Sequence, residues 1–150
     1  MTESRLTRVY LDNCCFNRPF DNQTSFVIRQ DTDAKLYVQE LIDEEKLELV
    51  WSFILDYENA ENPYEEVRSQ IAEWKNLAIT DIGFSNEIAA TAAELMTLGL
   101  RQKDAAHVAC AIHADAVYFL TTDKIILNKT IAKIVTISPV NFVRRYLNAE

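Results

Sequence analysis

The chain has 150 residues, 49% apolar and 25% charged, with a formal net charge of −8. This is the length and balance of one domain spanning residues 1–150, and only two glycines and three prolines leave little room for linkers or a many-turned β-sandwich. The acidic balance and the lack of any long Lys/Arg block count against a nucleic-acid ligand, unless some of the acids hold divalent cations at the point of contact.

No repeat or low-complexity tract is present, and the apolar stretches are broken by His113, Asp115 or Lys124, which excludes a membrane span. The opening MTESRLTRVYL lacks the apolar core of a signal peptide. Cys14, Cys15 and Cys110 make an odd count with two adjacent, so free thiols in the reducing cytoplasm are expected.

In chain order, Arg8 to Leu11 reads as a short buried strand ending at Asp12. Ser25 to Lys46 carries Ala34, Val38 and Leu41 at helical spacing, with Tyr37 and Ile42 beside them, and predicts a long amphipathic helix. Leu47 to Trp51 is a second strand, and Phe53 to Asn59 returns to helix. Pro63 opens a helix over Tyr64 to Leu77, and Ala78 to Ile82 is a brief third strand. Ser85 or Asn86 caps a helix that runs to Leu98 and stops at Gly99, and Gln102 to Ala114 forms the next. Val117 to Leu120 is the fourth strand, Asp123 to Ala132 a helix, Ile134 to Ile137 the last strand, and Ser138-Pro139 starts a terminal helix. The alternation predicts an α/β fold, a three-layer α/β/α sandwich with a short, mainly parallel central sheet. Such sheets bind ligands beyond the carboxyl ends of their strands.

Four acids reach that edge. Asp12 follows the first strand and Asp123 the fourth, Glu58 lies on the helix leaving the second strand, and Asp104 lies in the first turn of the Gln102–Ala114 helix. Taken singly, each acid at a helix start reads as a cap, and Glu58 as a solvated face residue. Taken together they are expected to converge, and crowded carboxylates persist mainly where a cation joins them. All-oxygen ligands select Mg²⁺ or Mn²⁺, ions suited to phosphoryl chemistry.

The stretches VYLDN, WSFILDYEN, RQKDAAHVACAIHADAVYFL and LTTDK carry these four acids, and together they resemble a PIN-domain nuclease from Val9 nearly to the C-terminus. The most specific part is KDAAHVACAIHADAVYFLTTDK, an alanine-rich helix opened by an acid and followed by a strand and a Thr-x-Asp turn; LDNCCFNRPFDNQ is similar to a subgroup with Arg-Pro-Phe-Asp after the first acid. The resemblance implies that Asp12, Glu58, Asp104 and Asp123 hold one or two Mg²⁺ or Mn²⁺ ions and cleave RNA as a divalent-metal-dependent endoribonuclease. It also implies that the chain is the toxin of a toxin–antitoxin pair, neutralised by a partner antitoxin protein, or an RNA-processing factor, and that it forms a homodimer. Thr122 stands where many relatives have asparagine, and Asn13-Cys14 replaces the commoner Thr-Asn.

Asn13, Arg18, Thr121 and Thr122 are the expected supporting residues, Arg18 as a phosphate contact and the threonines as partners of a carboxylate or a bound water. The bland alternatives are a surface arginine, an Asp21 that caps the following helix, and threonines that end a strand. Asp56 and Glu58 point to nearly opposite sides of a helix, so only one can face the site; Glu58 is preferred because it keeps the distance from Ser52 that the resemblance implies, with Glu61, three residues on, in reserve. His107, Cys110 and His113 are spread over too wide an arc for a zinc site, and His107 is expected to pack near Asp104. A receiver-like signalling domain is disfavoured because the middle strands offer no acceptor acid. A catalytically silent PIN-like protein-binding module is the alternative to the nuclease.

Overall fold

The runs Val9-Tyr10-Leu11, Leu49-Val50-Trp51 and Phe119-Leu120 are almost fully buried side by side. They lie at the centre of a computed structural model that describes residues 6–149. A parallel strand covered on both faces needs apolar side chains at successive positions, and these runs supply them. The strands are β1 (Arg8–Leu11), β2 (Glu48–Ser52), β3 (Ala78–Ile82), β4 (Tyr118–Leu120) and β5 (Val135–Ile137). They form one sheet in the order β3-β2-β1-β4-β5, with every pairing parallel. At the β3 edge alternate residues are exposed, and Asp81 there pairs with Lys75. Charge on an edge strand discourages further pairing.

The helices are α1 (Asn13–Asn17), α2 (Phe26–Asp43), α3 (Phe53–Ala60), α4 (Glu65–Glu73), α5 (Asn86–Thr97), α6 (Gln102–His113), α7 (Lys124–Leu127) and α8 (Pro139–Ala149). They flank the sheet as a three-layer α/β/α sandwich, with α2 packed on α8 and α5 on α6. Ser25, Ser52 and Ser85 accept from the backbone N–H three residues on and start α2, α3 and α5. Gly99 adopts φ 101° as the chain leaves α5, a conformation that a side chain would strain. Among the described residues, no helix is long and apolar enough to cross a membrane, and the three cysteines are unbridged.

Three stretches differ from the sequence expectation by more than a few terminal residues. Helix α1 and the 3₁₀ turn Arg18–Phe20 fill a stretch expected to be loop. They arise because Asp12 caps α1 through its own carboxylate, while Pro19 suits the start of a tight turn. The Tyr64–Leu77 helix becomes α4 followed by a 3₁₀ turn, Trp74–Leu77. The Asp123–Ala132 helix shrinks to α7, because Asn128, Thr130 and Ile131 prolong a helix poorly.

Candidate functional site

The β1–β4 register sets Leu11 beside Leu120, so Asp12 and Thr121 leave the sheet together. The Asp12 N–H donates to the Leu120 carbonyl at 2.9 Å. The buried Thr121 hydroxyl donates to Asp12 Oδ2 at 2.8 Å, and the Asn13 N–H to Asp12 Oδ1 at 2.8 Å. Asp12 is 7% exposed and is thereby oriented by hydroxyl and backbone donors. Thr122 Oγ1 lies 3.2 Å from Cys14 Sγ, beside this group. A hydrogen bond from Cys15, opposed by burial and by the Asp12 charge, leaves the Cys14 thiol below its ordinary value.

Glu58 comes from α3, which Ser52 starts at the end of β2. Asp56 turns away to accept from Trp51 Nε1 at 2.9 Å and Lys75 Nζ at 3.0 Å. Glu61 is exposed, 4.0 Å from Lys103. The Glu58 carboxylate instead meets His107 Nε2. Burial pushes the Glu58 carboxyl up, but the hydrogen bond and charge of His107, helped by Lys103, outweigh it and hold the group below its ordinary value.

His107 is 1% exposed, on α6 one turn beyond Asp104. Its Nδ1 lies 2.6 Å from the Tyr10 hydroxyl, which lies 2.6 Å from Ser52 Oγ, a wholly buried chain. Burial raises the Tyr10 hydroxyl well above its ordinary value, so it remains a protonated donor. His107 Nε2 is also 3.8 Å from Asp12 Oδ1. One donor atom each from Asp12, Glu58 and His107 lies within 4.8 Å of the others. Donor pairs around an octahedral ion with bonds of about 2.1 Å are roughly 3 to 4.2 Å apart, so the Glu58 carboxylate would have to draw back from His107 Nε2 for an ion to enter. The buried Asn13 Oδ1 has no hydrogen-bond partner among the described residues and awaits a donor. A hard or borderline divalent ion with its water fits this donor set.

The other two acids form a second group. Arg101 donates from Nε to Asp104 Oδ2 at 3.0 Å and from a terminal nitrogen to Asp123 Oδ2 at 2.7 Å. Asp123 Oδ1 caps α7 through the Ile125 N–H. Burial pushes the Asp104 carboxyl up, Arg101 pulls it down, and the charges of Asp12 and Asp123 add to the rise, leaving it above its ordinary value. The four acids are thus near neighbours in two pairs, Asp12 and Glu58 around His107, Asp104 and Asp123 around Arg101.

Arg18 is engaged by Asp31 at 3.3 Å and Asp21 at 3.0 Å, and Ser25, not Asp21, caps the following helix. His113 bonds Thr91 on the outer side of α6. His107 lies buried one turn from Asp104, and its own hydrogen-bond partners are Glu58 and Tyr10. The available signal was a lone imidazole between alanines on the same helix face as Asp104. A cleft of about 550 Å³ opens beside Glu58, lined by Asn13, Asn17, Asn62, Phe20 and Tyr64 among others.

Comparisons with known proteins follow the same lines. A sequence profile described as PIN domain matches residues 9–131. In fold, the chain is similar to a chain in the crystal structure of VapBC2 from Rickettsia felis bound to a DNA fragment from their promoter. The TM-score is 0.60 at 16% identity, over 88% of this chain and 98% of that one. It is likewise similar to a chain in the crystal structure of FitAcB from Neisseria gonorrhoeae, with TM-score 0.56 at 14% identity, over 87% and 97%. A comparison with curated proteins gave no significant match. The sheet order, the acids at its carboxyl edge and a profile match covering most of the length lead to one conclusion: the chain belongs to the PIN domain family.

Proposed function

We propose that the protein is a divalent-metal-dependent endoribonuclease that hydrolyses RNA phosphodiesters. The observation that carries this reading is the convergence of Asp12, Glu58 and His107 at the carboxyl edge of the sheet in a PIN domain. Asp12 and Glu58, with Asp104 and Asp123 beside them, would hold Mg²⁺ or Mn²⁺. When bound, such an ion lowers the pKa of water and stabilises charge on the phosphate. Thr121 and the Asn13 N–H fix the Asp12 carboxylate, and Asn13 Oδ1 is an acceptor for a water or substrate hydroxyl. Arg101, with its guanidinium largely exposed, is placed to offset phosphate charge next to Asp104 and Asp123. The cleft beyond Glu58 offers amides and the exposed rings of Phe20 and Tyr64, which suit an unpaired base and so single-stranded RNA.

The proposal extends to a partner. The fold likeness to chains of VapBC2 and FitAcB supports a toxin role in which an antitoxin covers the site. It also includes a homodimer built on the exposed apolar face of Tyr57, Phe84 and Met96, and a reducing cytoplasm suited to three unbridged cysteines.

One observation favours the silent binding module: Arg101 already neutralises Asp104 and Asp123, so a cation is less needed there. The same experiment decides between them. Purified chain incubated with single-stranded RNA should cleave it with Mn²⁺ or Mg²⁺ and not with EDTA. Asp12→Asn should lower the rate at least about a hundredfold while the circular dichroism spectrum is unchanged. Full cleavage by that variant refutes the assignment, and no cleavage by the unsubstituted chain on any RNA favours the module.

A further inference from the structure

We propose that His107 is itself a ligand of the ion, through Nε2, so that Asp12, Glu58 and His107 form a two-carboxylate, one-imidazole centre that holds a first-row transition ion such as Mn²⁺ in preference to Mg²⁺. This rests on the metal-dependent reading above and concerns how the centre selects its ion.

The position of Nε2 is the first reason. It meets Glu58 Oε1 and stands 3.8 Å from Asp12 Oδ1, between the two carboxylates and not at their rim. The imidazole is buried, and among the described residues its outward nitrogen faces these two carboxylates.

The second reason is the other ring nitrogen. Ligating histidines are held by a hydrogen bond at the nitrogen that does not bind the ion, which sets tautomer and ring angle. Here Tyr10 holds Nδ1 at 2.6 Å and Ser52 holds Tyr10 at 2.6 Å. This chain can run in either direction. With the Tyr10 hydroxyl donating to Nδ1, the imidazole would offer Nε2–H to Glu58. With Nδ1–H donating to the Tyr10 oxygen and the Tyr10 hydroxyl turned to Ser52, Nε2 would offer its lone pair to an ion.

Donor count is the third. Arg101 occupies one oxygen each of Asp104 and Asp123, whereas Asp12 and Glu58 each place a donor atom within 4.8 Å of the imidazole and of each other. An imidazole would raise the number of protein donors there to three. Mg²⁺ is hard and favours oxygen, whereas imidazole nitrogen suits first-row transition ions, so the set shifts selectivity away from Mg²⁺.

The test is pulsed electron paramagnetic resonance on the full chain loaded with Mn²⁺. Directly bound ¹⁴N modulation should be present in the unsubstituted chain, retained in His113→Gln and absent in His107→Gln. Mn²⁺ affinity should fall about 10- to 100-fold in His107→Gln, while Mg²⁺ affinity, read by competition, falls less than about threefold. Mn²⁺ that is lost in Asp12→Asn yet shows no nitrogen coupling in the unsubstituted chain overturns this inference and leaves the oxygen-ligand reading standing. Mn²⁺ binding that ignores Asp12→Asn overturns both. Should His107→Gln not fold, the coupling in the unsubstituted chain, set against His113→Gln, still decides.

Discussion

Lys35 is 3% exposed on α2, with Nζ 5.5 Å over the Phe16 ring and 5.6 Å over that of Trp74. Among the described residues no carboxylate pairs with it. Aromatic faces attract the ammonium but do not replace its hydration. Burial pulls its pKa down to about 7, against a small upward pull from Cys15. The unfolded chain keeps an ordinary lysine, near 10.4. Between about pH 7 and pH 10 the unfolded state therefore binds the extra proton, and stability rises with pH; below pH 7 both states are charged and the full burial cost is present. Urea denaturation should accordingly find Lys35→Met more stable than the parent by about 1–4 kcal/mol at pH 6, with the gain shrinking towards pH 10. A gain that does not depend on pH would locate the effect in packing. The spacing of α2 puts Lys35 three before Val38 and seven before Ile42 on the buried face, but a lysine flanked by the exposed Asp33 and Leu36 reads as a solvated residue.

Ser52 illustrates how an element boundary serves the site. It ends β2, caps α3 through the Leu55 N–H at 3.3 Å, and holds Tyr10 at 2.6 Å. Removing its hydroxyl should both fray α3, which carries Glu58, and loosen the chain to His107. Ser85 caps α5 in the same manner at 3.1 Å but touches nothing of the site. Chemical denaturation should show a loss of about 1–2 kcal/mol for Ser52→Ala and about 1 kcal/mol for Ser85→Ala. Only Ser52→Ala should also weaken Mn²⁺ binding; equal effects on the ion would mean that the Tyr10 chain does not position the imidazole. Most elements were legible from apolar period and caps, since those are properties of neighbouring residues. Helix α1 was not, because its start depends on Asp12 folding its carboxylate back onto its own following N–H, and polar, short LDNCCFNR carries no helical period.

At the scale of the molecule, the sheet order brings carboxylates from residues 12, 58, 104 and 123 to one edge while the chain carries a net charge of −8. Ions that bind the folded state alone stabilise it by mass action. Differential scanning fluorimetry should find that Mn²⁺ at about a hundred times its dissociation constant raises Tm by roughly 5–10 °C, and that Asp12→Asn cancels the rise. Without metal, Asp12→Asn should melt at or above the parent temperature, since it removes one of the charges that push the Asp104 carboxyl up. A metal-free variant that melts well below the parent would make Asp12 a structural hub of Thr121 and Asn13 more than a ligand.

Read alone, the sequence determined the alternation of strands and helices, the parallel sheet and the family resemblance, and it named four candidate acids, because each of these is written in local period, caps or short motifs. Only the tertiary structure decided how those acids are shared. The sequence distances from His107 to Glu58 and Tyr10 are 49 and 97 residues, and from Arg101 to Asp123 it is 22. Which imidazole enters the carboxylate pair, and which guanidinium bridges the other, is set by the register of β1 against β2 and β4 and by the rotation of α6 on the sheet, and no local pattern encodes either.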